Sequence, residues 1–141
     1  MSKINYSKIE WKRTSRNTEV SIFQDNHFGR VLLKRSLLLN ASSMKKQIVA
    51  YESLRRVASN MKGITSPETY PNLSKDNIIA IEYFAGPSFH ELWRSKGYRN
   101  YEIDADINYM FSILSLFHMS SLKYSNGEPF AYCDFGPKNV I

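Results

Sequence analysis

The sequence predicts an α+β fold for this chain of 141 residues. Three segments near the N-terminus have the composition and flanking turns of strands, whereas from Asn40 onward apolar residues recur at helical spacing. A further strand-like stretch, two more helical segments and a final strand follow, so the predicted order is βββ-α-ββ-α-α-β. A mostly antiparallel sheet with one helix, followed by helices, is typical of the α+β class.

The first three strands are predicted at 8–14, 18–25 and 28–36. The segments that separate them, "SRN" and "DNHFG", consist largely of turn-forming residues. The third strand carries two adjacent cations, Lys34 and Arg35, and the alternation of side chains along a strand places them on opposite faces of the sheet. Arg35 is expected to be solvated.

The first helix is predicted to begin after Ser42 or Ser43 and to end near 60–63. Its apolar residues recur every three or four positions, at Met44, Ile48, Tyr51, Leu54 and Ala58. A hairpin that turns at "SKDN" then leads into an apolar strand at 78–84.

Two more helices are predicted in the second half of the chain. Ser88 and Glu91 stand three residues apart in "AGPSFHELW", the spacing of a capping box at the start of a helix. A loop is predicted at 94–102, and a longer helix from about 104 to 122. Its predicted apolar face consists of Ile107, Met110, Phe111, Leu114, Phe117 and His118.

Composition favours a soluble cytoplasmic protein. Hydrophobic residues make up 43% of the chain and charged residues 23%, which is ordinary for a globular domain. No apolar run approaches the roughly 20 residues that span a bilayer, and the N-terminus lacks the apolar core of a secretory signal. The single cysteine, Cys133, excludes an internal disulfide and a multi-cysteine metal site.

The net charge of +6 is unevenly distributed. Residues 1–62 have a balance of +9 and residues 63–141 a balance of −3. The basic half can attract an anionic partner such as a nucleotide, a nucleic acid or an acidic surface. Solvated lysines on a small sheet account for the excess equally well. Because no basic run is interleaved with aromatic residues, a nucleic-acid partner is not expected.

Four features in chain order resemble the protein-kinase-like fold. They are a strand lysine (Lys34), an acidic residue in the next helix (Glu52), a strand joined to a capped helix through Gly86-Pro87, and Asp134 with Asn139 near the C-terminus. The closest resemblance is to the aminoglycoside phosphotransferase family, whose members act on aminoglycosides, choline and sugars. "YCDFGPKNVI" is similar to its catalytic loop, "EYFAGPSFHELW" to its inter-lobe linker, and "LSLFHMSSL" to the end of the helix before the loop.

The resemblance implies an ATP-dependent phosphotransferase that moves the γ-phosphate to a hydroxyl of a small molecule. It also implies two lobes, an N-terminal nucleotide-binding lobe at 1–84 and, at 85–141, a linker and an incomplete C-terminal lobe. Asp134 would orient and deprotonate the acceptor hydroxyl, and the amide oxygen of Asn139 would bind Mg²⁺.

The resemblance places the nucleotide on residues of the first half. Lys34 would bridge the α- and β-phosphates, with Glu52 as its ion-pair partner, although Ala50 is an equally good match for that helix position. Glu82 and Phe84 would offer backbone C=O and N–H groups to the edge of adenine.

The sequence departs from the family pattern after Asn139. The family has a second, metal-binding aspartate and acceptor-binding helices beyond this point, whereas this sequence stops at Ile141. The chain is therefore expected to be incomplete, and inactive on its own. The alternative is a truncated, non-catalytic pseudo-kinase that binds a nucleotide or a protein, with oligomerisation through the exposed face of the 104–122 helix.

Overall fold

The computed structural model of the protein describes residues 4–38, 40–97 and 101–122. Its four strands are β1 (Lys12–Ser15), β2 (Thr18–Asp25), β3 (Gly29–Ser36) and β4 (Ile78–Glu82). Its three α-helices are α1 (Ala41–Ala58), α2 (Phe89–Lys96) and α3 (Tyr101–Ser121), and short 3-10 helices lie at Tyr6–Lys8 and Pro71–Leu73. The α+β class is confirmed. The predicted terminal strand and loop lie outside the described residues.

The four strands form one antiparallel sheet in the order β1-β2-β3-β4. Asp25 closes the turn between β2 and β3, because its Oδ1 accepts the backbone N–H groups of His27 at 2.8 Å and Phe28 at 3.0 Å. Gly29 then takes a positive φ of 74°, which glycine adopts without a steric cost. The turn predicted from "DNHFG" is confirmed.

The first arm of the predicted hairpin pairs with β4 but is not a continuous strand. The N–H of Tyr70 donates to the carbonyl of Ala80 at 2.9 Å, and the N–H of Glu82 donates to the carbonyl of Glu68 at 2.8 Å. Pro71 then opens a 3-10 helix. Because proline has no N–H and a fixed φ, the chain leaves the ladder at this point.

Both faces of the sheet are covered in part. On one face, Val31 and Leu33 of β3 are fully buried beneath the N-terminal residues 4–11 and the segment 70–73. On the other face, α1 packs Met44, Ile48 and Tyr51 against Leu32, Ile79 and Ile81. The covered faces follow from the alternation along β3, where odd-numbered residues face the N-terminal segment and even-numbered residues face α1.

Arg35 is not solvated as expected. Its Nε donates to Oε2 of Glu19 at 2.8 Å, and its guanidinium lies 4.2 Å from the centre of the Trp11 ring. The register of the sheet causes this, since Glu19 is directly opposite Arg35 on β2. A cation that sequence alone assigns to solvent is therefore part of the packing on the N-terminal face.

In the second half of the chain, the capping box that begins α2 is confirmed. The Ser88 hydroxyl accepts the N–H of Glu91 at 3.3 Å, and the Glu91 carboxylate accepts the N–H of Ser88 at 2.7 Å. The Nε1–H of buried Trp93 donates to Oδ2 of Asp106 at 2.9 Å, which joins α2 to α3. Helix covers part of the loop predicted at 94–102, because α2 ends only at Lys96 and α3 begins at Tyr101.

The apolar face of α3 is only partly the predicted one. Met110 and Phe117, seven residues apart, are both 6% exposed, whereas Phe111 is 64% exposed. The neighbouring apolar residues Leu116 and Met119 are also more than half exposed. Among the described residues, no helix has the length and apolarity that crossing a lipid bilayer requires.

The chain divides into two compact units. One consists of residues up to Arg56 together with Thr65–Tyr83, and the other of Val57–Ile64 together with residues from Phe84 onward. The predicted lobes, 1–84 and 85–141, stay a prediction.

Candidate functional site

Lys34 lies on the face of the sheet that α1 partly covers. It follows Leu32 by two residues on β3, and Leu32 packs in the cluster that contains Ile48 and Tyr51 of α1. Its cross-strand neighbours are Val20 on β2 and Ile79 on β4. The lysine is half-buried, and its side chain is on the same face as these neighbours.

The part of this face that lies over β1, β2 and β3 forms what we call the open sheet face, defined by Lys12, Val20, Ile22, Leu32 and Lys34. The register aligns these residues in two rows, Lys12–Val20–Lys34 and Ile22–Leu32. Ile22 is 47% exposed, so α1 does not cover this side of the sheet completely. Lys12 and Lys34 flank Val20 and are separated by two strand spacings, roughly 10 Å. The open sheet face therefore sets an apolar row beside a row that carries two cations.

The two faces of the sheet differ in charge. On the N-terminal face, Glu19 lies opposite both Arg13 and Arg35, and it forms an ion pair with Arg35. On the open sheet face, the positions of β1, β2 and β3 that share the face of Lys34 hold no acidic residue. These positions are Lys12, Ser15, Thr18, Val20, Ile22, Gln24, Arg30, Leu32, Lys34 and Ser36. Arg30, a third cation on this side of the sheet, lies 4.4 Å from the centre of the Tyr83 ring.

Glu52 is exposed on α1, and within the described part of the chain it forms no ion pair with Lys34. Arg55 of α1 does contact acidic residues at the sheet edge. Its guanidinium nitrogens lie 3.7 Å from carboxylate oxygens of both Glu68 and Glu82. Sequence reasoning missed Arg55. This residue lies one helical turn beyond Tyr51 in the series 44, 48, 51, and it therefore lies on the face of α1 that packs against the sheet.

Glu82 ends β4 and has an unusual hydrogen-bond pattern. Its N–H donates to the carbonyl of Glu68, but the N–H of Glu68 donates to the Glu82 carboxylate at 3.1 Å. Burial, and then the nearby carboxylates of Glu82 and Glu68, raise the pKa of the Tyr70 hydroxyl. Phe84, two residues on, lies beyond the strand and is half-buried. The predicted roles of Glu82, Phe84, Lys34 and Glu52 stay predictions.

Asp134 and Asn139 lie outside the described residues, so their geometry stays a prediction, and so does the Mg²⁺ site. Within residues 4–38, 40–97 and 101–122, no three His, Cys, Asp or Glu side chains gather as a metal site would require. A cavity of about 1300 Å³ lies on the N-terminal side of the sheet, lined by residues that include Tyr6, Asp25 and Phe28. Lys34, Glu52, Glu82 and Phe84, the predicted site residues that the structure describes, do not line it.

Comparison with known proteins gives no match from which a function could be inferred, so a function has to be inferred from the sequence motifs and the open sheet face. No family model matches the chain, and no curated protein or solved structure matches it. Chemically, the open sheet face offers apolar contact to a flat group and ammonium groups to an anion. A nucleotide combines both.

Proposed function

We propose that the protein binds ATP on the open sheet face and belongs to the class of phosphotransferases that phosphorylate a hydroxyl of a small molecule. One observation carries the proposal. Lys34 lies beside an apolar row, on a part of the sheet whose strand positions hold no carboxylate. An ammonium group that no fixed carboxylate neutralises remains available to phosphate oxygens.

The same sheet supplies an internal contrast in support of this proposal. Arg35, the next residue, has a carboxylate and an aromatic ring as partners, as expected for a structural cation. Lys34 has apolar cross-strand neighbours and forms no ion pair within the described part of the chain. Holding a lysine half-buried beside apolar groups costs solvation, and binding an anion offsets that cost.

The order of elements also supports the proposal. A lysine-bearing third strand, a helix against the same face, and a strand that leads into a capped helix follow one another as the resemblance implies. The apolar row Ile22–Leu32 would contact the base, and Lys34 would contact phosphate oxygens. Glu82 and Phe84 would supply backbone groups to the edge of the base.

The chemical step is assigned to Asp134. Its carboxylate would accept the proton of the acceptor hydroxyl while that oxygen forms a bond to the γ-phosphorus of ATP. The bond from the γ-phosphorus to the β–γ bridging oxygen breaks, and ADP leaves with that oxygen. Asn139 would supply an amide oxygen to Mg²⁺, which neutralises phosphate charge when bound.

The test is a transfer assay on the protein in its complete form, including any residues that follow Ile141, with ATP, Mg²⁺ and a panel of aminoglycosides, choline and sugars, read as ADP release and as product mass. Transfer by the unaltered chain, lost in Asp134→Ala and kept in the control Asp104→Ala, would support the proposal. Nucleotide affinity should be unchanged in Asp134→Ala, because the aspartate acts on the acceptor. Equal transfer rates in Asp134→Ala and the unaltered chain would remove Asp134 from the mechanism.

A second candidate, a non-catalytic binding module, is favoured by α3. From Ile107 to Leu122 the sequence has no Asp, Glu, Lys or Arg, and Tyr109, Phe111, Leu116 and Met119 are each more than half exposed. Exposed apolar surface of this kind often marks an interaction site. This function predicts a stable dimer or complex and no transfer in the assay above. A monodisperse monomer with transfer activity would exclude it.

A further inference from the structure

The cavity of about 1300 Å³ lies on the side of the sheet away from the open sheet face. Three segments form its wall, namely residues 4–7 near the N-terminus, the turn between β2 and β3, and residues 72–75. All three belong to the same compact unit. Ligand pockets typically measure roughly 300–1,000 Å³, so this cavity has room for a small molecule of two fused rings.

Contacts between these segments hold the wall of the cavity in place. The Tyr6 hydroxyl donates to the carbonyl of Leu73 at 2.5 Å, which joins the first segment to the third. Asp25 fixes the turn that carries Phe28, because its Oδ1 accepts two backbone N–H groups of that turn. The Phe28 ring then stacks on the Tyr70 ring, with 4.4 Å between the ring centres. The wall is therefore formed before a ligand arrives, which lowers the entropic cost of binding.

The apolar part of the wall presents an aromatic ring. Phe28 remains 38% exposed, although Tyr70 stacks on it and His27 meets its ring edge-on. Ile4 and Leu73 supply aliphatic surface to the same cavity. Aromatic rings prefer offset-stacked or edge-to-face contacts with one another, so the exposed part of Phe28 favours a planar aromatic group.

The polar part of the wall holds an amide and a cation that the fold does not use. The Ser74 hydroxyl is occupied, since it donates to the carbonyl of Tyr70 and accepts the N–H of Ala80, both at 3.0 Å. The side chains of Asn72 and Lys75 are exposed and form no hydrogen bond or ion pair with residues that the structure describes. Amide and ammonium N–H groups are suitable donors for a carboxylate.

The charges of the wall favour an anionic ligand over a cationic one. Among the described lining residues, Asp25 is the acidic one, and its carboxylate is 3% exposed and binds the N–H groups of its own turn. Lys75 is exposed, and no carboxylate in the described ranges pairs with it. An incoming acid therefore gains an ion pair at Lys75, whereas an incoming cation is repelled there.

We propose that this cavity is a second small-molecule site, separate from the open sheet face, and that it binds a planar aromatic acid. The ring of the ligand contacts Phe28, and its acidic group accepts hydrogen bonds from Lys75 and Asn72. The proposal does not rest on the proposed ATP site, because none of these three residues belongs to the open sheet face.

The test uses 2-naphthoate, a two-ring carboxylate, and 2-naphthalenemethanol, a neutral molecule of similar shape. Calorimetry on the protein in its complete form, at low ionic strength, should give about 2- to 5-fold tighter binding of the acid, the range of an exposed ion pair. Lys75→Ala should remove this preference by weakening the acid alone. Lys46→Ala, which removes an exposed lysine of α1, is the matched control and should keep the preference.

A second variant and a second measurement locate the ligand. Phe28→Leu should weaken both molecules by about 2- to 12-fold, the equivalent of one aromatic contact. In methyl NMR spectra, 2-naphthoate should shift the signals of Ile4 and Leu73, which line the cavity. The signals of Ile22 on the open sheet face and of Leu116 on α3 should stay unchanged.

The outcomes decide the proposal without reference to ATP. Shifts at Ile4 and Leu73, with a preference for the acid that Lys75→Ala removes and Lys46→Ala keeps, support it. The proposal is overturned by shifts centred on Ile22 or Leu116, by a preference that survives Lys75→Ala, by equal affinities for the two molecules, or by binding of neither. Because ATP binding is measured separately, each of these results leaves the proposed function as it stands.

Discussion

Replacing Arg35 and Lys34, the two neighbouring cations of β3, one at a time tests whether Arg35 stabilises the fold and Lys34 does not. Arg35→Ala removes a charge-assisted hydrogen bond to Glu19 and a stacked contact with Trp11. Such a bond is worth about 1.5–3 kcal/mol and such a contact about 0.5–1 kcal/mol. The side chains of Arg35 and Glu19 are 31% and 19% exposed, so solvent screens part of this energy. We expect a loss of about 2 kcal/mol in the free energy of unfolding.

Lys34→Ala is the matched control, one residue away in the same strand. Because Lys34 forms no ion pair with the residues that the structure describes, its replacement should change the free energy of unfolding by less than about 0.5 kcal/mol.

Thermal unfolding followed by circular dichroism measures both variants. A loss of 2 kcal/mol corresponds to a decrease of about 7 °C in Tm for a chain of this length, and the control should shift by less than about 2 °C. If Lys34→Ala destabilises the protein as much as Arg35→Ala does, Lys34 is a structural cation. The reasoning that leaves it available to a ligand would then be wrong.

Three further predictions concern stability. Leu33→Ala, at a fully buried position of β3, should lower the free energy of unfolding by about 2–5 kcal/mol and lower the urea concentration at the unfolding midpoint. A loss below about 1 kcal/mol would contradict the assignment of Leu33 to the core. Hydrogen bonds from Ser88 lower the pKa of the Glu91 carboxyl in the folded protein. The ionised carboxylate therefore stabilises the fold fully above its ordinary pKa of 4.5, and this stabilisation is lost as the pH falls through the lower pKa of the folded state. Glu91→Gln should therefore flatten the acid side of the Tm–pH curve, and an unchanged slope would refute this assignment. Asp106→Ala should lower the free energy of unfolding by about 1–3 kcal/mol and shift Trp93 fluorescence, because it leaves a buried indole N–H without its acceptor. Asp106→Asn keeps an acceptor and should lose less, so equal losses in the two variants would argue against that bond.

The sequence predicted those parts of the fold that depend on local signals. The turn at Asp25 and Gly29 and the capping box of Ser88 and Glu91 are each formed by residues within four positions of one another. Their chemistry is therefore visible without knowledge of the fold. The placement of Lys34 and Arg35 on opposite faces also followed directly from strand alternation.

The sequence could not predict the contacts that depend on register. Glu19 lies 16 residues from Arg35 along the chain, and they meet only because β2 and β3 pair with Thr18 opposite Ser36. Phe111 illustrates a different limit. Its apolar character placed it on the buried face of α3, but burial depends on neighbours that helical spacing does not specify.

For the candidate site, sequence identified Lys34 but missed Arg55. The helix residue was sought as a carboxylate that would pair with the lysine. In the structure, the charged contact between α1 and the sheet edge has the opposite polarity, with arginine on the helix and glutamates on the sheet. Glu52 differs from Arg55 by three positions, and the series Met44, Ile48 and Tyr51 points to position 55 as the next residue facing the sheet.

The central claim, that the open sheet face binds ATP through Lys34, is tested most directly by the ATP affinity of the full chain and of two lysine variants. Lys34→Ala should weaken ATP binding by about 10- to 150-fold, the equivalent of one charge-assisted hydrogen bond. Lys45→Ala, which removes an exposed lysine of α1, should leave the affinity unchanged. Equal affinities in all three proteins, or no ATP binding by the unaltered chain, would contradict the claim.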